Sequence, residues 1–250
     1  MLLFNCTKDA CAALTAKRNG VATSLVNDQP LPETDTPWVW QLHAVKIMRQ
    51  SVLVAMHVDT RFAMMFWGMK KGDRESFLRL FFERLANQLT WLAQDAGALD
   101  EAGCDAMVNR LIAVHRTFRF QLGSDRSVQT HINEVVHCCR DAVADNGCFP
   151  DNYEEAAGFE QHLNGMIRSI RGGDYFHPDD ALLSACLRDF ADFDDSQLRK
   201  LHDLLHESRR QDLKHVLLQY VEGHAAEGDE VAQALIKQSL AAVPVKRTRH

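Results

Sequence analysis

The pattern of apolar and polar positions changes period several times along the chain. Leu2 to Cys6 is a short apolar run that predicts a strand, and Thr7-Lys8-Asp9 offers a cap for a short helix over Ala10 to Lys17. Gly20 to Pro37 carries Pro30, Pro32 and Pro37 among polar residues and predicts a loop. The next stretch, WVWQLHAVKIMRQSVLVAMHVDTRFAMMFWG, is rich in Val, Met, Phe and Trp and is broken at Arg49-Gln50-Ser51 and Asp59-Thr60-Arg61. It predicts three antiparallel strands over 38–47, 51–58 and 61–67. In the middle strand Val52, Val54, Met56 and Val58 share one face, and Leu53, Ala55 and His57 the other. Two apolar faces imply a sheet covered on part of both sides.

Beyond Gly72-Asp73 the period becomes helical. Phe77, Leu80, Phe81, Arg84, Leu85, Leu89 and Leu92 follow helical spacing, which predicts a helix over 74–95 that packs on the meander. A second helix is expected over 101–115, a strand over 117–122 and a helix over 126–145 that stops at Asn146-Gly147. Further helices are expected over 153–170, 178–190, 195–208, 211–224 and 228–241. The fold class is therefore α+β: a small, mainly antiparallel sheet covered by helices, followed by an all-helical C-terminal region. The expected division is an α+β domain over 1–147, a helical region over 148–243 and a flexible tail over 244–250.

Composition narrows the class. The chain has 250 residues, 46% hydrophobic and 25% charged, as in an ordinary globular protein able to bury a core without staples. Its net charge of −6, with no basic block inside the chain, argues against a dedicated nucleic-acid binder. No run of about 18 apolar residues exists, so no membrane span is expected. The seven cysteines are irregularly spaced without CxxC, which points to a reducing cytoplasm and buried thiols.

Candidate chemistry is sparse. In RSVQTHINEVVHCCRD, residues 126–141, a turn of roughly 100° per residue puts Val128, Ile132, Val135, Val136, Cys139 and Val143 on one apolar face. His137 points away, and His131, Glu134 and Cys138 remain on a polar flank. Those three are candidate ligands for zinc or another divalent metal, although a closed site needs further donors. In HDLLH the i, i+4 pair His202 and His206 is a second metal candidate, with Asp203 where the protease motif has Glu. His202 lies on the stripe of Leu198, Leu205 and Val216, close to the expected core, and His162, His177 or His215 can supply a third ligand. Cys6, at a strand-to-helix junction with Cys11 nearby, is the leading reactive thiol against a plainer reading as a buried one. Trp38, Trp40, Trp67 and Trp91 are weighed as a stacking set, and His43, His57 and Arg61 as pocket residues, against ordinary packing.

Taken in order, MLLFNCTK, the VLVAMHVDTRFAMMF hairpin and RSVQTHINEVV resemble an uncharacterised bacterial domain-of-unknown-function family, over about residues 1–145. The resemblance implies a bacterial cytoplasmic α+β domain, sometimes found in plasmid or mobile-element contexts. Arg126, Ser127, Asn133 and Glu134 match its motif positions and carry no assigned role. The leading functional reading is a non-enzymatic protein-binding or regulatory module without a cofactor, through a protein partner or self-association. The alternatives are a metal-dependent hydrolase or nuclease using the helix-borne histidines, and a nucleic-acid-linked accessory protein touching phosphates through Arg209, Arg210 and the basic tail.

Overall fold

The computed structural model describes residues 1–18, 21–23, 26–27, 37–170 and 172–226. Most of the loop expected over 20–37, the helix expected over 228–241 and the tail over 244–250 lie outside the described residues. The elements run β1 (Leu2–Cys6), α1 (Lys8–Leu14), β2 (Ala16–Arg18), β3 (Val21–Thr23), β4 (Trp38–Ile47), β5 (Gln50–His57), β6 (Ala63–Trp67), α2 (Arg74–Asp95), α3 (Glu101–Val114), β7 (Phe118–Leu122), α4 (Arg126–Asn146), α5 (Tyr153–Gly165), β8 (Arg168–Ser169), β9 (Tyr175–Phe176), α6 (Pro178–Phe190) and α7 (Asp195–Ala226). The fold is α+β. Met1–Leu198 forms one compact unit, which holds the sheet together with α5 and α6.

The main sheet has the order β6-β5-β4-β1-β7 and is mixed. β4, β5 and β6 form the antiparallel meander, while β1 lies inside the sheet, parallel to both β4 and β7. Alternation along each strand feeds two cores. On one face Phe4 meets Phe77 and Phe81 of α2 edge-on at 5.4 and 5.1 Å and stacks on Phe120 at 5.0 Å. Trp40 and Phe66 join the same helix through Phe81 and Phe77. On the other face Val128, Ile132, Val135 and Val143 of α4 pack on Val52, Val54, Met56 and Met65. Burial of each such side chain contributes about 1.5–3 kcal/mol, so a middle strand buried from Val52 to His57 anchors both layers.

The outer edge of β6 is closed by side chains rather than by another strand. Asn164 Oδ1 accepts the Ala63 amide at 2.7 Å, and its Nδ2 donates to the Ala63 carbonyl at 2.9 Å. One register step on, Glu160 accepts the Met65 amide at 2.7 Å and Arg84 donates to the Met65 carbonyl at 2.6 Å. Arg84 and Glu160 are ion-paired, both buried, and the guanidinium lies 5.0 Å over the Phe66 ring. Burial pushes the Glu160 carboxyl up, and Arg84 and the Met65 amide oppose that shift. An open edge invites a foreign strand; here α2 and α5 satisfy it from within.

Several elements depart from expectation, beginning with the helix expected over Ala10 to Lys17, which ends at Leu14, so that Ala16–Arg18 pairs as a strand with Val21–Thr23. The helix expected over 153–170 ends at Gly165, and Arg168–Ser169 instead pairs with Tyr175–Phe176 as a small hairpin around the Gly172 turn. The helices expected over 195–208 and 211–224 are one uninterrupted 32-residue helix, because the intervening Arg209-Arg210 is polar but does not break a helix. Met48 and Arg49 make the two-residue turn between β4 and β5 with φ of 43° and 67°. Both residues sit in the left-handed region that such turns require and that side-chain-bearing residues adopt at a cost.

Two outcomes follow. Glu160→Ala strands a buried guanidinium and a strand amide and should cost about 3–5 kcal/mol in urea unfolding; a loss no larger than that of the exposed Glu83→Ala would contradict the edge closure. Replacing Met48-Arg49 by Asn-Gly should stabilise the fold by about 1 kcal/mol or more, checked as a rise in the urea midpoint at unchanged slope.

Candidate functional site

The long helix α4 is built as its sequence pattern predicts. Asp125 caps it by accepting the Val128 amide at 3.0 Å, and Gly147 ends it at φ 74°. Its apolar face, Cys139 included, is buried, and His137 is exposed. His131 departs from the expected polar flank: it is buried, at 8% exposure. Its Nδ1 lies 3.2 Å from Glu134 Oε2, and the same oxygen accepts Arg168 Nη1 at 3.0 Å. A cation held by His131 and Glu134 would have to displace this guanidinium. Cys138 is half-buried against the core.

His202 and His206 stand with ring centroids 4.4 Å apart, and both are exposed, so His202 is not the near-core residue expected. Leu198 is buried, Leu205 is half-buried and Val216 is exposed; the apolar stripe thins out along α7. Of the suggested third ligands, His177 Nδ1 lies 2.8 Å from the Gly165 carbonyl, His215 lies 2.9 Å from the Gln219 amide nitrogen, and His162 is exposed. Among the described residues no three His, Cys, Asp or Glu side chains are grouped to hold a metal ion. Arg209 and Arg210 lie in α7, and the basic tail lies outside the described residues.

The thiols are inert where burial acts on them. Cys6 is fully buried, its Sγ donates to the Phe4 carbonyl at 3.6 Å, and burial with Cys11 beside it pushes the thiol well up. Burial likewise raises Cys104 and Cys186, and lifts Cys139 to about 11. Such groups hold little of the thiolate that reacts.

Trp38, Trp40, His57 and His115 form an aromatic nest at the edge of the α2 face, with Trp38 stacked on His115 at 5.0 Å. His57 Nδ1 accepts the Thr60 amide at 3.2 Å, which fixes the turn that presents Arg61 at φ 60°. Arg61 Nη2 then donates to Ser127 Oγ at 3.1 Å, so the Thr60-Arg61 corner is tied to the start of α4. His43 Nδ1 lies 3.1 Å from Thr7 Oγ1 and serves the α1 cap, and Trp91 is half-buried on α2.

A concave feature of this unit that sequence reasoning did not find is an apolar cleft of about 500 Å3 between α4, residues 148–150 and α5. Trp67, Val143, Phe149 and Phe159 wall it, and Trp67 stacks on Phe149 at 5.7 Å. Its polar neighbour Glu155 is occupied: the carboxylate accepts the Asp151 amide at 3.0 Å and Asn152 Nδ2 at 2.8 Å. The missing signal is tertiary, since Trp67 and Phe159 come from distant elements. Arg168, Arg84 and Glu160 also went unread; Glu160 and Asn164, four apart on an otherwise apolar stripe of α5, are the trace they leave.

His57 and His115 are held neutral, His57 down to about 3 by burial and then by Arg61 and His115, and His115 down to about 4 by burial and the nearby amino terminus. Their folded values lie below the unfolded one, so the unfolded chain binds more protons once pH falls under about 6.5. Stability present above that pH should therefore be lost between about pH 6.5 and 3 for His57 and between about 6.5 and 4 for His115, by up to about 1.4 kcal/mol per pH unit for the buried His57. Urea unfolding at stepped pH checks this, and a His57→Gln/His115→Gln variant that keeps the full slope refutes the assignment.

Residues 3–181 match the profile of a family described as Domain of unknown function (DUF6933). The match runs past the region of about 1–145 picked out by resemblance, and takes in Glu160, Asn164 and Arg168. No curated protein matches the chain.

Proposed function

The chain belongs to the DUF6933 family of domains of unknown function, and we propose that it is a non-enzymatic binding module of the bacterial cytoplasm whose cleft takes an apolar anchor of a protein partner. The cleft beside Trp67 carries this reading: its volume of about 500 Å3 suits a few large side chains, and aromatic walls favour anchors of the kind that dominate protein interfaces. Two features favour binding over catalysis there. The flanking carboxylate of Glu155 is consumed in capping α5, and the Cys139 thiol is raised rather than activated. The cytoplasmic setting is supported by seven free cysteines, as a reducing compartment maintains them. Among the described residues no helix is long and apolar enough to cross a membrane.

Gly158 supplies the test. It lines the cleft, and a Cβ there meets nothing within 4 Å. Gly158→Leu should fill the cleft and strengthen α5 by up to about 1 kcal/mol. Peptides selected from a random library on the wild-type protein should carry aromatic or large aliphatic anchors. They should bind the variant about tenfold or more weakly, while its thermal midpoint does not fall. Selected peptides that bind both proteins equally would rule the cleft out as the docking site.

A further inference from the structure

A second pocket, of about 490 Å3, lies on the opposite face of the sheet, between α1, the turn end of the β4–β5 hairpin and the 69–73 loop. Leu14, Ala44, Leu53 and Phe66 make an apolar floor. Lys46, Lys70 and Lys71, all exposed, stand at its rim. From this combination we infer that the pocket binds a small anionic amphiphile, an organic acid with an apolar body.

The pocket is fixed by backbone as well as by side chains. Gly72 donates its amide to the Ala13 carbonyl at 2.8 Å and lies so close to Ala16 that a Cβ would come within 2.7 Å. Its φ of 79° adds a second reason for glycine. The lysine-bearing loop is thereby pinned against the end of α1. Lys46 is held in register opposite Ser51, next to the constrained Met48-Arg49 turn.

Charge selects the ligand class. The lining also holds Asp9 and Asp73. Asp73 caps α2 through the Ser76 amide at 3.1 Å, and Asp9 lies in the first turn of α1, where a negative charge is favoured. Among the described residues none of the three lysines is within ion-pair distance of a carboxylate, although Lys70 acts on Asp73 at longer range. A purely polar anion leaves the Leu53–Phe66 floor without a partner. A neutral apolar molecule leaves the ammonium groups to lose water without compensation. A molecule with both parts satisfies floor and rim together. The volume lies within the range of small-molecule sites.

The test uses Gly158→Leu protein, whose other cleft is blocked, so the outcome is separate from the reading proposed above. Two dyes with a common skeleton are titrated: anilinonaphthalene sulfonate, and the neutral phenylnaphthylamine that lacks the sulfonate. The sulfonate should bind at one saturable site about tenfold or more tightly than the neutral dye. Its affinity should fall about tenfold or more in Lys46→Gln/Lys70→Gln/Lys71→Gln, and also in Ala12→Phe, which narrows the pocket from the exposed face of α1. Higher salt should weaken the sulfonate and leave the neutral dye unchanged. Equal affinity for the two dyes, or unchanged affinity in both variants, overturns the inference. So does lysine-dependent flotation with phosphatidylglycerol vesicles in the absence of dye binding, which would assign the lysines to a membrane headgroup.

Discussion

The closed edge of β6 is the constraint on which the remaining architecture rests. A sheet with both faces covered still has two borders, and a border strand buried beneath helices must find partners for every outward amide and carbonyl. Here Asn164 acts as a strand residue in side-chain form, donating and accepting at Ala63. Glu160 and Arg84 share the same task at Met65, each satisfying half of it. The two charges neutralise one another in a place where either alone would be expensive. This arrangement fixes α5 on the border and α2 on the face with one set of bonds. It also places Phe159, the residue before Glu160 in α5, in the same cleft wall as Trp67, so the apolar cleft is a by-product of how the edge is sealed.

The division between what the sequence disclosed and what it withheld follows the range of the interactions. Local periodicity revealed the meander, α2 and the apolar face of α4, because burial selects residues at the spacing of each element. The helix start at Asp73 and the stop at Gly147 were equally legible, since one residue satisfies its own helix end. Pairing partners were not. Nothing in LLFNC says that it runs parallel to two strands that follow it far along the chain. The site was harder still. His131 seemed solvated from its helical position, yet Arg168 from a small hairpin covers Glu134, and the fold closes over the ring. The two pockets are formed by convergence of α4 with α5, and of α1 with the 69–73 loop, which no single stretch of sequence records.

On the proposed reading, the chemistry that remains is that of recognition. The buried thiols are raised, the flanking carboxylates cap helices, and the buried guanidiniums are tied to backbone or to Glu134 and Ser127. Polar groups have been committed to holding the scaffold. Concave apolar surface has been left on both faces of the sheet, one lined with aromatic rings and the other rimmed with ammonium groups. A domain organised in this way presents two chemically distinct concave surfaces on opposite faces of one sheet.

The place of β1 has a kinetic consequence. Leu2 pairs with Trp38 on one side and with Phe118 on the other. The meander can assemble from neighbours in sequence, but β1 cannot complete its ladder until the chain has closed a loop that runs through β4, β5, β6, α2 and α3. Ordering such distant segments before their contacts form slows a folding transition state. During synthesis the β7 side of β1 has no strand partner until residues 118–122 leave the ribosome, by which point α2, whose Phe77 and Phe81 meet Phe4, has already emerged. The strand nearest the amino terminus is thus among the last to be locked, and the order in which the chain emerges becomes part of how it reaches this fold.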